Sequence, residues 1–151
     1  MEMESYVTGF VDGEGCFSVS FSIRSKMKMG LEVRPSFAVS QHKRNRDIIL
    51  WLQRFFGCGG VRFCKRDQNF KFEVRSTADI IKKVIPHFEK YPLQTSKMTD
   101  FLAFKEVCGL VHSNHHLEPN GMKKVIELSE KINKTGKKKY DRNDLLRFIA
   151  R

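Results

Sequence analysis

Residues 16–24, CFSVSFSIR, alternate strictly between apolar and polar side chains. Phe17, Val19, Phe21 and Ile23 take one side; Ser18, Ser20, Ser22 and Arg24 take the other. A period of two is the signature of a strand with one face buried and one face wet. The pattern resumes in LEVRPSFAVS, where Leu31, Val33, Pro35, Phe37 and Val39 oppose Glu32, Arg34, Ser36, Ala38 and Ser40. The polar, Gly-ended SKMKMG between the two runs predicts a hairpin. Pro35 cannot donate to a ladder, which predicts an edge position or a bulge. A second hairpin follows across the turn residues KRDQ. There Val61 and Phe63 oppose Arg62 and Cys64, and Phe70, Phe72 and Val74 oppose Asn69, Lys71, Glu73 and Arg75. Four strands with one greasy and one polar-basic face imply a sheet with helices on one side and something polar on the other.

Between and after the hairpins the period changes to that of helices. RDIILWLQRFFG is amphipathic and ends on Gly57, a C′ glycine. TADIIKKVIPHF follows Ser76 or Thr77 as cap, and Pro86 is expected to end or kink it. SKMTDFLAFKEVCGLV is a longer helix capped by Thr95 or Ser96, and MKKVIELSEKINK another, begun after a Pro119-Asn120-Gly121 turn. The tail TGKKKYDRNDLLRFIAR reads as a basic linker and a short helix capped by Asp141. With the opening stretch as a helix, the order is α-β-β-α-β-β-α followed by further helices, an α+β fold. The expected organisation is one domain over 1–136, with the linker and helix of 137–151 belonging to it.

Lys and Arg number 28 against 17 Asp and Glu, a net charge of +11. Such an excess repels itself in a compact domain and serves a polyanionic partner, nucleic acid first. No apolar run approaches the length of a membrane span, and MEMESY lacks the order of a signal peptide, so a role inside a cell or organelle is expected. The four cysteines form no C-x-x-C pair. A zinc site from Cys58, Cys64 and the His112, His115, His116 group matches no common spacing, and free thiols are preferred.

Against this basic background, residues 7–15, VTGFVDGEG, end in two acids. Gly9 and Gly13 are four apart and share one helix face, where missing side chains admit another backbone. The chain offers one such helix, so its natural partner is the same helix of a second copy about a two-fold axis. That crossing brings Glu14 and its symmetry mate beside the axis. Carboxylates at the negative end of a helix are unfavourable alone, and divalent metal removes the objection. A calcium loop is excluded, because its later ligands would fall at Cys16, Ser18 and Ile23. A plain helix stop before a tight turn stays open.

VTGFVDGEG resembles the nine-residue motif of the LAGLIDADG homing endonucleases at Gly9, Phe10-Val11, Asp12 and Glu14-Gly15. Val7-Thr8 and Gly13 depart from the commonest residues, and neither departure touches an acid. The resemblance implies the homing-endonuclease fold, with a curved antiparallel sheet and helices packed on one face. It implies Mg²⁺-dependent hydrolysis of both DNA strands, leaving 3′ overhangs, at a long and roughly palindromic target. One motif implies a homodimer, with Gly9, Asp12 and Gly13 at its interface. Glu14 would be the metal ligand and a catalytic residue, and Asp12 a support for the helix junction. FAVSQHKRNRD and YPLQTSKMTDF also look similar to family segments. They nominate Gln41 to orient active-site water and Lys97 to stabilise charge at the phosphate, with Lys90 a rival to Lys97. The family further implies a chloroplast or mitochondrial setting. Its alternative activity is that of an RNA-binding intron-splicing cofactor, a maturase.

The polar faces would then meet double-stranded DNA. Ser18, Ser20, Ser22, Arg24, Glu32, Arg34, Ser36, Ser40, Arg62, Asn69, Lys71, Glu73 and Arg75 are types that can read base edges in the major groove. Lys26, Lys28, Lys65, Arg66 and the 137–142 cluster would meet phosphates. Arg46 is a further basic candidate.

Overall fold

The period-two segments are strands. A computed structural model of the chain describes residues 2–134 and 136–150. Helix α1 (Met3–Glu14) leads into β1 (Gly15–Ile23) and β2 (Leu31–His42). Then come α2 (Arg46–Phe56), β3 (Gly60–Cys64) and β4 (Asn69–Val74). The helices α3 (Thr77–Asp79), α4 (Ile85–Lys90), α5 (Lys97–His112), α6 (Pro119–Ser129) and α7 (Arg142–Ile149) complete the chain. The strands form one sheet in the order β1-β2-β4-β3, and the α-β-β-α-β-β-α order stands.

That strand order corrects one expectation. β2 is interior, so Pro35 marks no edge. Pairing with the antiparallel β4 runs from Phe37↔Val74 to His42↔Asn69. Pro35 lies outside that paired stretch, so it interrupts no bond of the β2–β4 ladder.

The chain divides into two units. The first comprises Met1–Cys16 with Ser36–Met98. Its sheet residues Phe37, Val39, Phe72 and Val74 are buried, together with Ile49, Leu52 and Phe56 of α2 and Phe88 of α4. Phe37 meets Phe56, Phe72 and Phe88 with ring centroids 5.4, 6.2 and 5.7 Å apart, edge-on in each case, the arrangement the ring quadrupoles favour. Gly57 adopts φ 68° and returns its N–H to Gln53 as the expected C′ glycine. Pro86 does not end its helix. A π-helical turn, Ile80–Val84, precedes it and joins α3 to α4, so the turn without a normal i→i−4 bond falls where proline cannot supply one. Ser76 caps α3 by accepting from the Asp79 N–H.

The second unit comprises Phe17–Pro35 with Thr99–Arg151. Phe17 of β1 packs on Phe101 and Phe104 of α5, with centroids 5.5 and 5.1 Å apart. The β1–β2 connection closes with the Arg24 N–H on the Gly30 carbonyl. Helix α6 begins at Pro119, so Pro-Asn-Gly is the first helical turn and not a preceding turn. Proline at the first helical position needs no N–H partner. Asp141 caps α7 in a capping box with Asp144, and Arg142 of α7 donates to Glu127 of α6.

Candidate active site and nucleic-acid interface

Helix α1 stops because Gly15 turns extended, its N–H returning to the Val11 carbonyl. A Cβ at Gly15 would stand 2.6 Å from Val11 Cγ1 and 2.9 Å from its carbonyl oxygen. Only glycine passes from helix to strand this tightly.

The two acids of the motif have different surroundings. Asp12 Oδ2 accepts from the Gln94 N–H (2.7 Å), and Oδ1 from the Thr95 N–H (3.2 Å) and hydroxyl (2.7 Å). Burial by itself would raise its carboxyl; these donors and the Lys97 charge outweigh it and hold Asp12 below its ordinary value. Glu14 is exposed and makes no hydrogen bond or ion pair with a described residue. Asp12 is therefore spent on the protein, and Glu14 is available to something else.

Lys97 comes to the same place. Its Nζ donates to the carbonyls of Val11 (2.9 Å), Asp12 (3.1 Å) and Gly15 (2.5 Å). A cation at the carbonyl end of a helix offsets the dipole that Glu14 opposes. The rival Lys90 lies elsewhere, over the ring of Tyr91 at 5.5 Å. Thr95 is the expected cap, accepting from the Lys97 N–H. Its bond to Asp12, 83 residues away, left no trace in the sequence.

Gln41 pairs with Phe70 across the β2–β4 ladder. Alternation puts it on the face of Val39 and Phe72, opposite to the row of Ser40, Lys71 and Arg62. Its Oε1 accepts from Asn45 Nδ2 at 3.1 Å. Arg46 stacks over Phe70 at 5.6 Å.

On the polar face of the first unit, Glu73 is a hub. It accepts from the Ser36 hydroxyl at 2.6 Å and faces Arg75, Lys71 and Arg62 at 3.2, 3.7 and 4.0 Å. Burial would raise its carboxyl, but Ser36 and the cations Lys71 and Arg75 hold it below the ordinary value. Ser40 and Asn69 are half-buried, and Arg66 is exposed. In the second unit, Glu32 bridges Arg24 and Arg34. Ser18 and Ser22 are half-buried, while Ser20 and Lys26 are exposed. Lys28 pairs with Glu118 at 2.6 Å, an exposed pair of small energetic weight. Among the described residues no three His, Cys, Asp or Glu side chains gather as a metal site.

The LAGLIDADG endonuclease family model matches residues 7–108, from the second turn of α1 into α5. The chain belongs to that family. It is 31% identical over 130 residues to a probable intron-encoded endonuclease of Neurospora crassa, covering 85% of this chain and 29% of that protein. Among solved structures, the homing endonuclease I-TnaI is 36% identical with a TM-score of 0.84, over 97% of this chain and 95% of its own. I-SmaMI, solved on its uncleaved DNA target with calcium ions, is 34% identical with a TM-score of 0.83. It is matched over 87% of this chain and 45% of its own. The chain spans between 24% and 48% of the length of the first curated relatives it matches.

In this LAGLIDADG helix both motif glycines face outward. Gly9 and Gly13 are exposed, and a Cβ at either would meet nothing within 4 Å. Packing against the described residues does not explain them. Glycine inside a helix costs about 0.5–1 kcal/mol relative to alanine, and no described neighbour offsets that at Gly9.

Proposed function

We propose that the chain is a site-specific DNA endonuclease that works as a homodimer, cutting both strands of a long, nearly palindromic duplex with divalent metal, Mg²⁺ in the cell. The observation that carries this is Glu14: an exposed, unengaged carboxylate closing the LAGLIDADG helix of a basic protein. One carboxylate per chain suits Mg²⁺, which takes one or two such ligands and completes its shell with phosphate and water. Bound there, the metal would supply Lewis-acid stabilisation of charge at the phosphate.

The chain's own residues supply the rest. Glu14 would hold the metal. Asp12 binds the 94–95 backbone and so positions the end of α1. Lys97, tied to the carbonyls beside Glu14, keeps positive charge next to the acid. Gln41, oriented by Asn45, is assigned to water. Gly9 and Gly13 admit the same helix of a second copy, bringing two Glu14 carboxylates to one axis. Double-stranded DNA lies along the polar faces of the hairpins. The intron-encoded relatives support an organellar setting, and no described helix is long and apolar enough to cross a membrane.

The test is cleavage of a randomised duplex library with Mg²⁺ and with EDTA, by the wild-type chain and by Glu14→Gln. Metal-dependent double-strand cuts at one long sequence, lost by at least about 100-fold in Glu14→Gln with duplex binding retained, are expected. Full cleavage by Glu14→Gln would overturn the mechanism. Binding of intron RNA without any cleavage would replace it with the splicing-cofactor reading.

A further inference from the structure

Resting on the DNA-binding reading above, we propose that Glu73 is a positioning residue for sequence recognition: it reads no base itself but holds Arg62, Lys71 and Arg75 in the orientation in which they meet base edges. A free glutamate on this face would accept from cytosine. Glu73 is not free. Its side chain is 14% exposed, and both oxygens are engaged. Oε2 takes the Ser36 hydroxyl and faces Lys71; Oε1 faces Arg75 and Arg62.

The three cations are placed to use such a brace. Lys71 and Arg62 are cross-strand partners in the β3–β4 ladder, and Glu73 lies two residues along β4 on the same face. Arg62 and Arg75 have side chains 63% exposed, and among the described residues Glu73 is the acid that each of them pairs with. A long side chain fixed before DNA arrives loses less freedom on binding, and a planar guanidinium fixed in direction distinguishes guanine from other bases. Ser36, 9% exposed, anchors the carboxylate from the neighbouring strand β2. The same device recurs in the second unit, where Glu32 sits between Arg24 and Arg34. On both hairpins an acid that should repel DNA is surrounded by the cations that should attract it.

The test starts from the duplex that the wild-type chain selects out of a randomised library. A panel carrying every single-base-pair change is then bound by wild type, Glu73→Gln, Ser36→Ala and Arg75→Ala. Glutamine keeps the shape of Glu73 and its bond to Ser36 but loses the charge that holds the cations. At the base pairs that Arg75→Ala flattens, Glu73→Gln should flatten preference too, from the roughly 5- to 150-fold of a good base contact to within about 3-fold. Ser36→Ala should fall between, and affinity for non-specific duplex should not weaken in either, because no phosphate-binding cation is lost. Thermal melts check that each variant is folded, and Ser36→Ala decides the matter if Glu73→Gln is not. Preference that switches at a single pair while the rest stands would show Glu73 reading that base and overturn the proposal. Unchanged preference at every pair would overturn it as well, leaving the DNA reading intact. A wild-type chain that selects no duplex would overturn both.

Discussion

The hydroxyl of Thr95 donates to the carboxylate of Asp12 at 2.7 Å, pinning the residue that caps α5 to the last turn of α1. Two residues on, Lys97 returns the contact by donating to the backbone of that same turn. The clamp sets where Glu14 ends up, and it is accessible to measurement.

Asp12→Asn keeps the shape and gives up the charge. It should cost about 1–2 kcal/mol, since hydrogen bonds to charged groups exceed neutral ones, and lower the melting temperature by roughly 2–8 °C. Asp12 and Glu73 both have folded-state values below the ordinary 3.8 and 4.5. A depressed carboxyl stabilises the fold above its unfolded value, and that contribution is lost as pH falls through the folded one. Wild-type melting temperature should therefore drop below about pH 4, and Asp12→Asn should drop less steeply. Melts from pH 3 to pH 7 read both.

Gly9→Leu separates assembly from folding. With open space around Gly9 in the single chain, the monomer should fold with unchanged or slightly raised stability, because leucine is the better helix former by up to about 1 kcal/mol. The side chain should block helix–helix approach. Sedimentation should show monomer where wild type shows dimer, and double-strand cleavage should be lost.

His87 adds a pH dependence nearer neutrality. The Thr8 hydroxyl donates to the Tyr91 carbonyl at 2.9 Å, which leaves its oxygen to accept from His87 Nε2 at 3.1 Å. Burial lowers the His87 value below 6.5, against an opposing pull from Glu4. The fold then prefers the neutral ring. Its contribution is fully present above pH 6.5 and is lost as pH falls from there through the folded value. His87→Gln should remove part of that slope; His116, shifted the same way by burial, keeps the remainder.

Cys108 is fully buried, and burial pushes its thiol up to about 12. Thiolate is the reactive form. In native protein Cys108 should stay unlabelled by maleimide while unfolded protein labels at all four cysteines, as mass spectrometry would show.

What the amino-acid order alone determined is what depends on near neighbours. Alternation set both hairpins and their faces, because a strand's side chains reverse at each residue. Helical periodicity, Gly57 and Asp141 set most helices, and the nine residues ending at Gly15 carried the family and marked Glu14. Pro119 was misplaced by one-dimensional rules, since a helix starts on it, while the disturbance expected at Pro86 takes the form of a π-helical turn just before it. Tertiary structure decided the rest. Asp12 and Thr95 meet across 83 residues, Ser36 and Glu73 across 37, and no spacing encodes either contact. The interior place of β2 follows from strand order, not from its composition. Whether an acid on a polar face is free to act or already committed depends on which donors the fold brings within about 3 Å of it, and that divides Glu14 from Asp12 and Glu73.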